Sequence, residues 1–312
     1  MSSGNVPKRN AGVVGTSTMV KTSPELAREF AAYHRNAGID IVFLFIDDPR
    51  DVDVITAVSD IPGVEPILCD DQHWQRVGMS RPNTVQMRTR RNTEWLIATQ
   101  AHRLEWLFMI DQDELLWSAK DLKQSLQEEA NGFHEVKIPV LEAVPDSLDA
   151  QDPFRNSRYF KVHRKDRYKW AHRLHATSAF TRKTRYFRGH RKGKQALRLD
   201  GTVKEVRLHG ASSYSSDYRE TVSTRIELLH FDAATFEQWK WKWRNRQEFG
   251  RHGSRERRKQ ARVFDRIEGL EDETKMVETY QRLHMIRQRE IPILRALGLL
   301  RKIHINESWL TW

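Results

Sequence analysis

Three apolar runs in the first half of the chain each end in acid. Ile41 to Ile46 (IVFLFI) meets Asp47-Asp48, Val64 to Cys69 meets Asp70-Asp71, and Trp106 to Ile110 meets Asp111-Gln112-Asp113-Glu114. Short runs of branched and aromatic residues that stop at polar groups are buried strands whose ends emerge from a core. Helical stretches separate them. Ser23-Pro24-Glu25 is a helix start, serine as cap and proline at the first helical position. Leu26, Phe30, Ala31 and Tyr33 or His34 supply an apolar stripe, and Gly38 closes the helix. Residues 51 to 59 read as helix, Pro62-Gly63 as a turn and Thr84 to His102 as a long polar helix, with a further strand at Ala11 to Thr18. Strand and helix in alternation imply an α/β fold with a doubly wound sheet, helices on both faces, and the aspartates along one edge.

The later sequence extends this pattern. Leu122 to Ala130 reads as a helix closed at Gly132, and Val136 to Leu141 as a strand. From Asp152 the chain loosens into short basic strands. From Ala234 it returns to helix, where Phe236, Trp239 and Trp243 fall on one apolar stripe. The expected organisation is a flexible tail over 1–10, a catalytic domain over 11–233 with halves at about 11–117 and 118–233, and a C-terminal helical extension over 234–312. No internal repeat appears, and no low-complexity tract beyond Arg251 to Arg262.

Composition narrows the partners. Of a net charge of +11, residues 155–262 carry 30 Lys+Arg against 10 Asp+Glu, so +20 there leaves −9 for the rest. A basic later region faces an anionic partner: a sugar nucleotide, an acidic glycan, membrane phosphate or nucleic acid. The single cysteine, Cys69, excludes an internal disulfide and a cysteine zinc cluster. No apolar run approaches a membrane span and the N-terminus lacks a secretory h-region, so the expected place is the cytoplasm, with peripheral contact at the inner face of the membrane.

In an extended segment Asp111 and Asp113 project from the same side. Crowded carboxylates repel unless a cation lies between them, and oxygen ligands suit Mg²⁺ or Mn²⁺. Such ions are commonly shared between carboxylates and substrate phosphates, so a nucleotide diphosphate is the natural guest. Asp-x-Asp alone is more often a helix cap or a solvated turn. Its place here, after a strand, before an expected helix and at a sheet end, favours the ligand reading.

Three blocks, AAYHRNAGIDIVFLFIDD, MIDQDELL and LLHFDAATFEQWKWKWRNR, together resemble the glycosyltransferase family 2-like enzymes of GT-A fold in order and spacing. The first block departs from that family, with Val20-Lys21-Thr22 in place of an Asn-Glu pair and Asp47-Asp48-Pro49-Arg50-Asp51 in place of Asp-Asn-Gly-Ser-x-Asp. The resemblance implies a GT-A-like, Rossmann-like mixed sheet, a nucleotide-sugar donor with a UDP-sugar foremost, Mn²⁺ or Mg²⁺, and transfer with inversion to a hydroxyl of a glycan or lipid-linked acceptor. It implies Asp113 as direct metal ligand, and Asp111 as a water-mediated ligand or a ribose contact. Asp47 or Asp48 would meet uracil or ribose, and Asp70 or Asp71 the base pocket. His230 and His209 are the candidates for a third metal ligand. Arg88, Arg91 and Asn92 lie on the helix before the Asp111 strand, where Arg-Asn resembles the family's donor-contacting pair and a solvated helix face explains Arg88, Arg90 and Arg91 equally well; Lys242, Arg244 and Arg246 are alternative phosphate partners.

Inversion needs a carboxylate base on the acceptor side. Glu142 leads, followed by Asp146 and Glu114; Glu114 could equally pair with a neighbouring arginine. Tyr168, Trp170, His172 and His175 could stack on acceptor sugars or simply pack a core, and the basic excess points to an anionic acceptor. Two rival readings stay open. One is a metal-dependent nucleotidyl or phosphoryl transferase using the same acids. The other is a nucleic-acid-binding protein built on the aromatic and cationic stretch WKWKWRNRQEFGRHGSRERRKQAR. Against the second, the tryptophans lie on one helical face and no zinc or RNA-recognition module appears.

Overall fold

Apolar residues set out the strands of a computed structural model that describes residues 12–167, 186–187, 192–248, 264–265 and 272–312. In chain order, the elements begin with β1 (Val14–Val20), α1 (Pro24–Asn36), β2 (Ile41–Ile46), α2 (Val52–Val58), β3 (Val64–Leu68), α3 (Asp71–Val77) and α4 (Val85–Gln100). There follow β4 (Trp106–Met109), β5 (Glu114–Ser118), α5 (Leu122–Glu129), β6 (Glu135–Ile138), β7 (Val140–Val144) and β8 (Tyr159–Val162). The remainder comprises β9 (Lys194–Arg198), β10 (Val203–Arg207), β11 (Gly210–Ser213), β12 (Glu220–Val222), β13 (Ile226–His230), α6 (Phe236–Glu248), α7 (Glu273–His284), α8 (Ile291–Ala296) and β14 (Leu300–Lys302). The chain divides into two compact units, one of Met1–Val140, Arg191–Leu228 and Asn306–Trp312, the other of Leu141–His190 and Leu229–Ile305.

The first unit carries a seven-stranded sheet in the order β12-β6-β9-β4-β1-β2-β3. β1 pairs in parallel with both β2 and β4, and β2 with β3; β9 runs antiparallel between β4 and β6. From β1 the chain steps outward through α1 and α2 to β3, then returns through α4 to β4 on the other side of β1. Right-handed crossovers in opposite directions place helices on opposite faces. Accordingly α1 packs on α2, and α4 packs on β1, where Ser17 and Thr93 hydroxyls lie 2.9 Å apart. This is the doubly wound mixed sheet expected from sequence. Its switch point lies between the carboxyl ends of β1 and β4, the position where such sheets gather ligands.

Local chemistry fixes the element ends. The Ser23 side chain accepts from Leu26 N–H and Pro24 opens α1; Thr84 accepts from Met87 N–H at the start of α4. Three details differ from the sequence reading. The first strand lies at Val14–Val20, later than Ala11 to Thr18, because Gly12 turns at φ 82° before it. Asp111 to Asp113 leads into a strand, not a helix, with Leu115 and Leu116 fully buried in β5. The run Val136 to Leu141 is two strands broken at Pro139, which has no N–H to continue a ladder.

In the second unit β8 lies antiparallel between β7 and β14, with Glu142 opposite Lys161 and Leu300 opposite Lys161. Phe236, Trp239 and Trp243 of α6 pack with Phe264, Met276 and Tyr280, so the aromatic stripe is a core seam. The stretch 234–312 holds α6, α7 and α8 and also β14. No helix among the described residues is long and apolar enough to cross a membrane.

Candidate functional site

At the switch point the acidic packet forms the tight connection between β4 and β5. Glu114 N–H donates to Asp111 O (3.1 Å), and the Glu114 carboxylate accepts from Asp111 N–H (2.7 Å). Gln112, between the two aspartates, donates to Lys21 O (2.9 Å) and accepts from Lys21 N–H (2.5 Å). It therefore stitches the end of β4 to the end of β1 across the crevice. Sequence reading passed over Gln112, although its place inside the acidic tripeptide was visible.

A cation enters this packet from β9. Lys194 Nζ lies 2.7 Å from Asp111 Oδ2 and 3.6 Å from Glu114 Oε2. The lysine is 3% exposed and Glu114 0%, whereas the Asp111 side chain is 46% exposed. Burial disfavours the ammonium, but the charges of Asp111, Glu114 and Asp113 outweigh it, so Lys194 stays protonated well above its ordinary range. The approach depends on Gly193 at φ 66°, where a Cβ would come within 1.9 Å of Ile138 O. His209 Nδ1 lies 2.9 Å from Gly193 O, which places that histidine beside the same β9 entry.

Two residues of the Tyr-His-Arg block hold the packet from below. Tyr33 Oη donates to Leu116 O (3.0 Å), and His34 Nε2 accepts from Leu116 N–H (3.3 Å). The opposite ring nitrogen, Nδ1, donates to Phe30 O (2.8 Å), which fixes a neutral tautomer. Burial pushes the His34 pKa down to about 4, against the Phe30 bond. Both hydrogen-bonding groups of one β5 residue are thus clamped by α1.

The other acidic strand ends are differently occupied. Asp47 is buried and paired with Arg88, whose Nε and Nη2 lie 2.6 and 2.8 Å from its two oxygens, and with Arg81 at 3.0 Å. Asp48 binds its neighbour Arg50 at 2.7 Å, which holds its carboxyl well below the usual range. Asp70 caps α3 by accepting from His73 N–H (2.8 Å), and Asp71 begins that helix. Asn92 is buried on α4: it lies 2.8 Å from His73 Nε2 and donates to Cys69 Sγ (3.4 Å), while burial pushes the Cys69 thiol up to about 12. Arg91 pairs with Glu94 on its own helix. Arg81 is a cation at this edge that the sequence reading did not single out.

In the second unit Glu142 and Lys161 form a buried cross-strand ion pair at 2.9 Å. Asp146 pairs with the exposed Arg158 at 2.8 Å. His230 and Asp232 offer ligand atoms within 4.8 Å of one another, and Lys242 binds Asp232 at 2.9 Å. Arg244 lies on α6. Tyr168, Trp170, His172, His175, the run Arg251 to Arg262 and the Arg246 side chain lie outside the described residues. The donor types fit a divalent ion of the Mg²⁺ or Mn²⁺ kind: carboxylates at Asp113 and Asp111 in one unit, an imidazole and a carboxylate at His230 and Asp232 in the other.

No protein-family model matches the chain, and no curated protein matches it. Among solved structures it is similar to glucosyl-3-phosphoglycerate synthase from Mycobacterium tuberculosis in complex with Mn²⁺, UDP-glucose and phosphoglyceric acid (8% identity, 70% of this chain and 71% of that one, TM-score 0.35). It is also similar to 4-diphosphocytidyl-2C-methyl-D-erythritol synthase from Anaerococcus prevotii (11% identity, 60% and 71%, TM-score 0.30). A third is core-mannan synthase A from Aspergillus fumigatus in a Mn/GDP form (9% identity, 43% and 44%, TM-score 0.28). At these scores the likeness carries no argument about activity.

Proposed function

We propose that the protein is a metal-dependent glycosyltransferase that moves a sugar from a nucleotide-sugar donor to a hydroxyl of a glycan or lipid-linked acceptor, with inversion. The observation that carries this reading is the acidic packet at the sheet's switch point, where Asp111 and Glu114 meet the buried Lys194 beside Asp113. In this reading Asp113 holds the ion directly and Asp111 contributes through water or to the ribose, and His230 is the candidate for a third ligand. His209 is the alternative imidazole. The ion supplies charge stabilisation to a departing diphosphate.

The protein's own groups do the rest. Arg81 and Arg88 leave a residual positive charge around Asp47, which suits the diphosphate end of a donor. Arg91, Lys242 and Arg244 are further phosphate partners, and Asp48, Asp70, Asp71 and Asn92 complete the proposed donor side. Glu142, in a buried ion pair with Lys161, is the proposed base. Asp146 and Glu114 are the alternatives. The basic residues of the later chain suit an anionic acceptor, and the run Arg255 to Lys259 a peripheral contact with membrane phosphate.

Thermal-shift screening with UDP-, GDP- and CMP-sugars, with and without Mn²⁺, tests the reading, followed by assay of the released product. A nucleotide response that needs Mn²⁺, with release of a nucleoside diphosphate, supports it. Release of pyrophosphate instead would assign nucleotidyl transfer, and retention on polyanions with no nucleotide response would assign nucleic-acid binding.

A further inference from the structure

The two sides of β1 are held differently at the switch point. Towards β2 the parallel register continues to Val20, and Asp47 N–H donates to Val20 O (2.9 Å). Towards β4 the register reaches Ser17 and Met109, followed by Ile110 N–H on Ser17 O (3.3 Å). β1 then runs on to Val20 while the other chain turns at Asp111 to Glu114. Gln112, in that turn, reaches Lys21 with both ends of its amide, accepting from Lys21 N–H (2.5 Å) and donating to Lys21 O (2.9 Å). A side chain thus supplies a further rung between the two strand ends. One hydrogen bond would let the amide swivel, whereas two to the same residue fix its plane. The aspartates on either side of Gln112 are thereby tied to the end of β1.

We propose that Gln112 is a positioning residue, whose two-point bond to Lys21 sets Asp111 and Asp113 in place to share a divalent ion with a donor diphosphate. This rests on the metal-site reading above and adds to it the residue that orients the ligands. Groups that orient metal ligands from outside the ligand set are typically worth about 10–100-fold in metal affinity.

The test is Mn²⁺ binding to the full chain, by calorimetry and by loss of the free-ion electron paramagnetic resonance signal, with the melting temperature measured alongside. Gln112→Met keeps the charge and nearly the volume but removes both bonds, and is expected to bind Mn²⁺ about tenfold or more weaker. Gln112→Asn keeps the amide, shortens its reach by one methylene, and is expected to weaken binding in the same direction. The control is Ser17→Ala, which removes a buried hydroxyl that faces Thr93 from the same strand. It is expected to lower the melting temperature and leave Mn²⁺ affinity unchanged. Equal weakening in Ser17→Ala overturns the proposal, because affinity would then follow stability alone. Unchanged affinity in both Gln112 variants overturns it and leaves the metal-site reading standing. If Gln112→Met does not fold, Gln112→Asn carries the test, and unchanged binding there overturns the proposal. Failure of both to fold also overturns it, since Gln112 would then belong to the scaffold. No Mn²⁺ uptake by wild type overturns both the proposal and the metal-site reading.

Discussion

The ends of β2 and β4 both present aspartates at one edge of the same sheet, yet they are opposite electrostatic objects. Asp47, at the end of β2, is enclosed by two arginines, and Asp48 is held by Arg50. Asp111, Asp113 and Glu114, after β4, gather around Lys194. The first end is saturated with arginines; at the second, one buried lysine is shared between Asp111 and Glu114. Acids at strand ends look alike in sequence, and what separates a scaffold carboxylate from a ligand carboxylate is the count of counter-charges that the fold delivers to it.

The strongest way to break this contrast is Asp47→Ala. It strands Arg88 in a buried position, and breaking a buried pair costs about 3–5 kcal/mol. Denaturant unfolding should report that loss equally with and without Mn²⁺; a loss that Mn²⁺ reverses would make Asp47 a ligand carboxylate after all. Glu142→Gln in the second unit tests a buried pair with an added chemical role. It should cost about 3 kcal/mol by removing the carboxylate that faces the buried Lys161, retain donor affinity and lose transfer. Unchanged turnover would move the base to Asp146 or Glu114.

A comparable effect, confined to low pH, concerns the clamp under the packet. The pKa of His34 is about 4 in the fold, below the ordinary 6.5, so the unfolded chain takes up the proton first. The stabilisation is complete above pH 6.5, declines as pH falls towards 4 and is gone below that. Over that window wild type should lose about 3 kcal/mol more than His34→Gln, since one pKa unit is about 1.4 kcal/mol. Parallel pH profiles of unfolding free energy would remove His34 from the account. Arg50→Ala, at an exposed pair, should leave the denaturant unfolding midpoint nearly unchanged; a clear loss would mean that Asp48 belongs to the scaffold as fully as Asp47 does.

Much of the sheet was legible because its causes are local. IVFLFI, the Ser23-Pro24 start and the Thr84 cap specify strand and helix through side-chain pattern and orphan N–H groups, without distant partners. The acidic packet was legible for the same reason. Its counter-ion was not: Lys194 is one of the 30 Lys+Arg of residues 155–262, and nothing local marks it as the partner of Asp111. The insertion of antiparallel β9 between β4 and β6 was equally hidden, since pairing of strands so far apart is set by the assembled sheet. Arg88 and Asn92 were visible on their helix, but not that one would meet Asp47 and the other His73 and Cys69. Pro139, by contrast, was a visible breaker inside the run Val136 to Leu141.

The central claim is that the packet after β4 holds a divalent ion for a nucleotide-sugar donor. Calorimetric titration of wild type and Asp113→Ala with UDP-sugar, with and without Mn²⁺, tests it most directly. The account predicts donor binding that needs Mn²⁺ in wild type and its loss, by at least about a hundredfold, in an Asp113→Ala chain of unchanged melting temperature. Full Mn²⁺-dependent donor binding by Asp113→Ala would contradict it.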